Sequence, residues 1–204
     1  SDGDVLVVSQ INGVTITAGT PQTIPVTNGV VTTNAVGVIT FTPNQDYNGS
    51  ITFPYQISDG KGGTANANQE ITVNAINDRP IAVADTDTTP EDTLLNVNLV
   101  ADGVLSNDSD VDGNTLTVTA YTVGTSTGTI GQDLTITEGV IRINADGTFT
   151  FDPADNFTGN VPTINYTVSD GNLAASTTLN ISVTPINDAP TLLADVKVMN
   201  EDST

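Results

Sequence analysis

One pattern recurs along the chain at an offset of about 110 residues, and it constrains the fold more than any other feature. Phe41-Thr42-Pro43 and Tyr47-Asn48-Gly49 return as Phe151-Asp152-Pro153 and Phe157-Thr158-Gly159. Tyr55-Gln56-Ile57-Ser58-Asp59-Gly60 returns as Tyr166-Thr167-Val168-Ser169-Asp170-Gly171, and Ile76-Asn77-Asp78-Arg79-Pro80 as Ile186-Asn187-Asp188-Ala189-Pro190. Past the proline, Ala84-Asp85 and Glu91-Asp92-Thr93 reappear as Ala194-Asp195 and Glu201-Asp202-Ser203. The register sets Asp2-Gly3 opposite Asp112-Gly113, so the first copy lacks about 30 residues at its start. This predicts a repeat over 1–80 without its first strands, a whole repeat over 81–190 and the opening strand of a third over 191–204. The chain reads as a window cut from a tandem array.

The period inside each copy is that of a strand. Leu116 to Ala120, Thr148 to Phe151, Ile164 to Val168 and Leu179 to Val183 alternate apolar with small polar residues, as half-buried antiparallel strands do, and helical spacing is nowhere sustained. Asn12-Gly13, Asn28-Gly29, Asn48-Gly49, Asp146-Gly147 and Asp170-Gly171 supply turns between them. About seven short strands in roughly 100 residues predict an all-β fold of tandem immunoglobulin-like antiparallel β-sandwiches.

Composition then removes most chemistries. The chain has no His and no Cys, so Ser-His-Asp and Cys-His nucleophiles, haem ligation and the usual zinc sites are excluded, and any metal must be held by oxygen. Against 4 Lys+Arg stand 24 Asp+Glu, giving a net charge of −20, a surface that repels nucleic acid and anionic membrane and attracts cations. Glu occurs only at 70, 91, 138 and 201; the remaining acids are Asp, the residue of turns and metal loops. No run approaches the ~18 apolar residues of a membrane span, and the start, Ser1-Asp2-Gly3-Asp4, carries no apolar signal region, so no membrane insertion is expected.

The sharpest local signal is Asn107-Asp108-Ser109-Asp110-Val111-Asp112-Gly113-Asn114. Alternating Asp with a following Gly gathers hard oxygens around one point while Gly allows the sharp turn, which suits Ca²⁺ and its six to eight oxygen ligands. From Asp108 the run begins like an EF-hand loop, but Thr119 stands where the bidentate Glu belongs and the flanks are strand-like. Calcium is retained and the EF-hand rejected. Asp59-Gly60 and Asp170-Gly171 are also ordinary turn pairs, so turn and ligand both remain open for them, whereas Asp146-Gly147 reads as a turn alone. Phe41, Tyr47, Tyr55, Phe151, Phe157 and Tyr166 fall at strand positions and read as core.

Tyr166 to Gly171, the strand Thr177 to Val183 and Ile186-Asn187-Asp188-Ala189-Pro190 together resemble the last two strands and the linker of a cadherin domain. Pro90-Glu91-Asp92 resembles the cadherin motif with a calcium-binding Glu after the first strand, and Asp108/Asp110 its DxD motif. Phe-x-Pro, Ser-Asp-Gly and Ile-Asn-Asp-x-Pro in each copy resemble the cadherin-like tandem repeats of large bacterial RTX-type adhesins. The resemblance implies calcium bound by Asn77 and Asp78 of the linker with Asp108, Asp110 and Asp170 of the second copy, completed by Asp112 or Asn114. Toward a following repeat it implies Glu91, Asn187 and Asp188, and in the first copy Asp2, Asp4 and Asp59. Only Asp155, with Asp46 in the first copy, stands near the position of a further cadherin acidic motif. The Trp used for strand exchange by many cadherins is absent, so homophilic adhesion is not implied.

The expected function is a non-enzymatic, calcium-rigidified extender of an extracellular adhesin on the bacterial cell surface, its partners being neighbouring repeats of the same chain. An extracellular carbohydrate-binding module is the alternative, requiring exposed aromatics from a chain with only 4%. A glycan hydrolase built on two carboxylates finds no singled-out pair here. Because the first copy lacks its opening strands, it should present an unpaired edge, and head-to-tail strand donation from Leu192 to Met199 of another chain is expected.

Overall fold

The computed structural model describes residues 3–189; Asp2 and the expected opening strand over 191–204 lie outside them. The chain divides into two compact units between Asn77 and Asp78. Both are all-β sandwiches.

In the first unit β1 (Val7–Ile11), β2 (Val14–Thr15), β6 (Gly49–Ser58) and β7 (Thr64–Val73) form one antiparallel sheet in the order β2-β1-β6-β7. The other contains β3 (Gln22–Val26), β4 (Gly29–Thr33) and β5 (Ile39–Pro43), in that order. Alternation drives Ile11, Ile24, Val31, Ile51 and Phe53 between the sheets, with Phe41, Tyr47, Tyr55, Ile71 and Val73 packed against them. Among the described residues, β7 pairs only with β6 and β5 only with β4, so each sheet ends on an open edge.

The second unit begins with β8 (Asp85–Pro90) and β9 (Leu95–Val97), followed by a single 3-10 turn at Val100–Asp102. Next come β10 (Thr117–Val123), β11 (Ser126–Gly128), β12 (Leu134–Ile136), β13 (Gly139–Ile143), β14 (Phe149–Pro153), β15 (Gly159–Asn160), β16 (Ile164–Ser169) and β17 (Ala174–Thr184). One sheet runs β12-β13-β14-β9 and the other β11-β10-β16-β17-β15, with β8 also pairing β17. That last pairing is parallel, Asp85 beside Leu179 through Pro90 beside Thr184, whereas sequence alternation suggested antiparallel neighbours throughout. The reason is topological: first and last strands, joined across a whole domain rather than by a hairpin, are free to run the same way. The core gathers Val118, Tyr121, Ile141, Ile143, Phe149, Phe151, Ile164, Tyr166, Val168, Leu179, Ile181 and Val183.

Candidate metal centre

The Asp-rich segment forms a loop at one end of the second sandwich, ahead of β10. An isolated antiparallel bridge pins it, with Ile81 N donating to Ser109 O at 2.8 Å and Ser109 N to Ile81 O at 3.0 Å. The bridge holds Asp108 and Asp110 on either side of a fixed backbone point. Gly113, at φ 74°, closes the turn and donates to Asp110 O at 3.1 Å; this left-handed conformation is the reason for Gly at that place.

Each of the two acids has one oxygen in use and one spare. Asp108 Oδ1 accepts from Val83 N at 2.8 Å, and Asp110 Oδ1 from the N–H groups of Asp112 at 3.0 Å and Asn114 at 3.3 Å. Asp108 Oδ2 and Asp110 Oδ2 are buried with no hydrogen-bond partner. A buried carboxylate oxygen without a donor is a costly arrangement, and a hard cation is what relieves it. Asp112 Oδ2 accepts from Asp78 N at 2.7 Å, fastening the first residue of the second unit to the loop. Asp108, Asp110 and Asn114 line one shared surface depression.

Behind the loop lies a polar group that sequence reasoning missed. Tyr166 is 1% exposed, and its hydroxyl lies 2.5 Å from Asp85 Oδ2, 2.9 Å from Val104 O and 3.3 Å from Val83 O. Asp85 Oδ1 accepts from Asn107 Nδ2 at 3.0 Å. Burial raises the Asp85 carboxyl above its ordinary range, against the lowering effect of the Tyr166 and Asn107 bonds. Burial likewise raises Asp108; the Val83 N–H opposes the shift and the Asp85 charge adds to it. Asp85 and Asp108 thus lie near enough that the charge of the first disfavours ionisation of the second. The available signal was the recurrence of Ala84-Asp85 as Ala194-Asp195 in the sequence.

The other sequence candidates distribute as follows. The Thr117–Ser169 pairing places the β16–β17 turn at the same end as the loop, and there Asp170 Oδ1 accepts from the N–H groups of Asn172 and Leu173, both at 2.6 Å. This is a turn-forming role, and Asp170 is outside the lining of the depression shared by Asp108 and Asp110. At the opposite end, Glu91 is buried, its N–H donates to Thr184 O at 2.9 Å and its Oε1 accepts from Ile186 N at 2.7 Å. Asn187 and Asp188 follow directly, Asn187 Nδ2 donating to Asp188 O at 3.1 Å. Asp155 is exposed in the β14–β15 turn, whose Asn156 N donates to Asp92 Oδ1 at 2.8 Å, so it too belongs to that end.

In the first unit Asp59 Oδ1 accepts from Lys61 N at 2.8 Å and Gly63 N at 2.9 Å. Asp4 Oδ1 is paired with the Lys61 ammonium, a cation already present in the chain, while Asp4 Oδ2 is buried without a partner. Asn77 closes this unit. Among the described residues no three carboxylates form a metal cage by themselves, so a calcium ion at Asp108 and Asp110 would take the rest of its shell from amide, carbonyl or water oxygens. With hard oxygens only, two of them orphaned, the donor set fits that ion.

Every Phe and Tyr lies in or against one of the two cores, which leaves no exposed aromatic platform for a sugar ring. No helix among the described residues is long and apolar enough to cross a membrane.

Comparison with known proteins places these features. Residues 77–185 match the model of the bacterial cadherin-like domain, and residues 1–74 that of a cadherin-like domain. No curated protein matches. Among solved structures, protocadherin gammaB7 (EC3-6 cis-dimer) is similar at 9% identity and a TM-score of 0.44, over 81% of this chain and 40% of its own. Protocadherin Gamma B2 domains 1-5 give 14% and 0.42, over 83% and 33%. The endo-fucoidan hydrolase MfFcnA4 of glycoside hydrolase family 107 gives 17% and 0.35, over 91% and 24%. The chain thus spans less than half the length of each of these structures. With a bacterial cadherin-like model covering more than half of it, this chain belongs to the bacterial cadherin-like domain family.

Proposed function

We propose that the chain is a calcium-rigidified extender of a large extracellular bacterial adhesin of the RTX type, projecting a terminal binding domain from the cell surface. The observation that carries the reading is the pair of buried, partnerless oxygens, Asp108 Oδ2 and Asp110 Oδ2, in a chain of net charge −20. Bound calcium supplies the positive charge those oxygens lack. Asp108 and Asp110 provide the anchoring oxygens, held in place by the Ile81–Ser109 bridge; Asp112 and Asn114 follow in the same loop, and Asp170 stands in the β16–β17 turn at the same end of the sandwich. Asn77 and Asp78 occupy the short connection, so their participation in the same shell ties the connection to the second repeat. Glu91, Asn187, Asp188 and Asp155 perform the corresponding task toward a following repeat. The module works by holding distance, with no catalytic step assigned to any residue.

Without the cation, Asp78, Asp108, Asp110 and Asp112 repel one another and the connection loses its stiffness. Small-angle scattering tests this: in millimolar calcium the parent chain should have a well-defined maximum dimension, and EDTA or Asp110→Ala should broaden or shorten it while the strand signal in circular dichroism persists. A parent chain whose scattering and melting are identical in calcium and in EDTA would refute the reading.

A further inference from the structure

Asp85 differs from the acids of the loop in having both carboxylate oxygens engaged. Oδ1 accepts from Asn107 Nδ2 at 3.0 Å and Oδ2 lies 2.5 Å from the Tyr166 hydroxyl, whereas Asp108 and Asp110 each keep a buried oxygen without a partner. Its position in the fold gives it a task other than binding the ion.

The chain from Asp78 to Asp85 runs antiparallel along the Asp-rich loop. Asp78 N donates to Asp112 Oδ2, Ile81 bridges Ser109, Val83 N donates to Asp108 Oδ1 and Asn107 Nδ2 donates to Asp85 Oδ1. Rising numbers on one side face falling numbers on the other, so the loop takes its shape from this segment, including the N–H that orients Asp108. The segment has little to hold it in turn. Ile81 and Val83 are exposed, and β8, which continues from it, has the sequence Asp-Thr-Asp-Thr-Thr-Pro and brings no large apolar side chain to the core. Beyond the small Ala82 and Thr89 and the backbone pairing with β17, the contact that ties it inward is Asp85 on Tyr166, itself buried in the core. A strand with so few buried apolar contacts opens more readily than its neighbours.

We infer that Asp85 is a positioning residue that couples ion binding at Asp108 and Asp110 to the seating of β8 on β17. The inference rests on the calcium reading above and adds to it how the site is regulated. When β8 is seated, Tyr166 holds Asp85, Asp85 holds Asn107, and the Val83 N–H holds Asp108. When β8 lifts, Asp108 loses its donor and the loop its template. Linkage makes the effect reciprocal, so an ion that prefers the shaped loop stabilises the seated strand. At its far end β8 leads into Glu91, whose N–H is on Thr184 O and whose carboxylate is on Ile186 N, so an ion at the loop also steadies Glu91 at the opposite end of the sandwich.

Hydrogen exchange and titration calorimetry on the full chain test the inference. Calcium at tenfold excess over its dissociation constant should slow amide exchange across 85–91 about tenfold, while β12, an edge strand of the other sheet, should not respond. Asp85→Ala should weaken the calcium binding that Asp110→Ala abolishes by about 10- to 100-fold, as losses behind the ligands of a metal do, and should erase the slowing at 85–91. Asp85→Asn keeps an acceptor for Asn107 and a polar partner for Tyr166 without the charge, and should return the affinity close to that of the parent. Exchange at 85–91 indifferent to calcium, in a parent that binds it, would overturn the inference and leave the calcium reading standing. So would an Asp85→Ala variant that binds as tightly as the parent, or an Asp85→Asn variant as weak as Asp85→Ala, since charge rather than position would then matter. A parent that binds no calcium would overturn both. The exchange measurement on the parent needs no variant, so it decides the matter even where Asp85→Ala fails to fold.

Discussion

The two copies of the repeat share their middle strands and differ in what lies along their outer strands among the described residues. Strands β4 and β13 show the same burial alternation, and Val31 and Ile141 at their centres are both completely buried. One strand further on the likeness fails: β14 is largely buried, with β9 along its outer side, while β5, with no such neighbour among the described residues, is largely exposed. Phe151 is completely buried and Phe41 only half-buried. The same holds for the tyrosines, since the oxygens within reach of the Tyr166 hydroxyl belong to Val83, Asp85 and Val104 of the opening segment. A strand of given sequence is thus core or surface according to what covers it.

The largest test of this difference is truncation of the paired aromatics. Phe151→Ala should cost about 3–5 kcal/mol in the second unit, whereas Phe41→Ala, from a site already open, should cost roughly half as much; calorimetry of the full chain resolves the two if the units melt separately. Equal losses would mean that β5 is covered in solution. Tyr166→Phe should cost about 1–3 kcal/mol, because buried oxygens lose their donor, while Tyr55→Phe should remain within about 0.5 kcal/mol.

Calcium should also discriminate. For a joint with a dissociation constant of about 10⁻⁴ to 10⁻³ M, tenfold excess calcium adds roughly 1.4 kcal/mol per ion, so EDTA should lower the transition of the second unit by several degrees. The first unit, where the Lys61 ammonium already sits on Asp4, should move less, and Lys61→Gln should increase its calcium response. An unaltered response in Lys61→Gln would show that this lysine is not acting as a counter-ion.

The smallest effect concerns acid. The β4–β5 and β13–β14 turns have the same backbone bonds, Gly37 N to Asn34 O and Gly147 N to Asn144 O. Their side-chain caps differ. In the first, the Asn34 amide oxygen accepts from Val36 N and Val38 N; in the second, Asp146 Oδ1 accepts from Thr148 N at 3.0 Å and Thr148 Oγ1 at 2.6 Å. Those bonds hold the Asp146 carboxyl below the ordinary carboxylate range. A group whose folded value is depressed contributes stability that is present above the unfolded value and is lost as pH falls through the folded one. Acidification below about pH 4 should therefore loosen the second turn and leave the first alone, an effect of a few tenths of a kcal/mol at this exposed site, visible as faster amide exchange at Thr148 than at Val38. Asp146→Asn should abolish the pH dependence.

The repeat, the strand periods, the turns and the Asp108–Asn114 loop were legible in the sequence because each is local: a period of two, an Asn-Gly pair or an alternating acid run is written within about ten residues. Alternation also said correctly which side chains face inward, as Phe151, Tyr166, Val168, Leu179 and Ile181 attest. It could not say which strand lies at an edge. The parallel seating of β8 on β17, the Tyr166–Asp85 contact across 81 residues and the Lys61–Asp4 pair across 57 were decided only when the sheets assembled. The physical reason is that backbone hydrogen bonding between strands is nearly independent of side-chain identity, so an edge pairs with whatever extended segment the tertiary structure brings beside it.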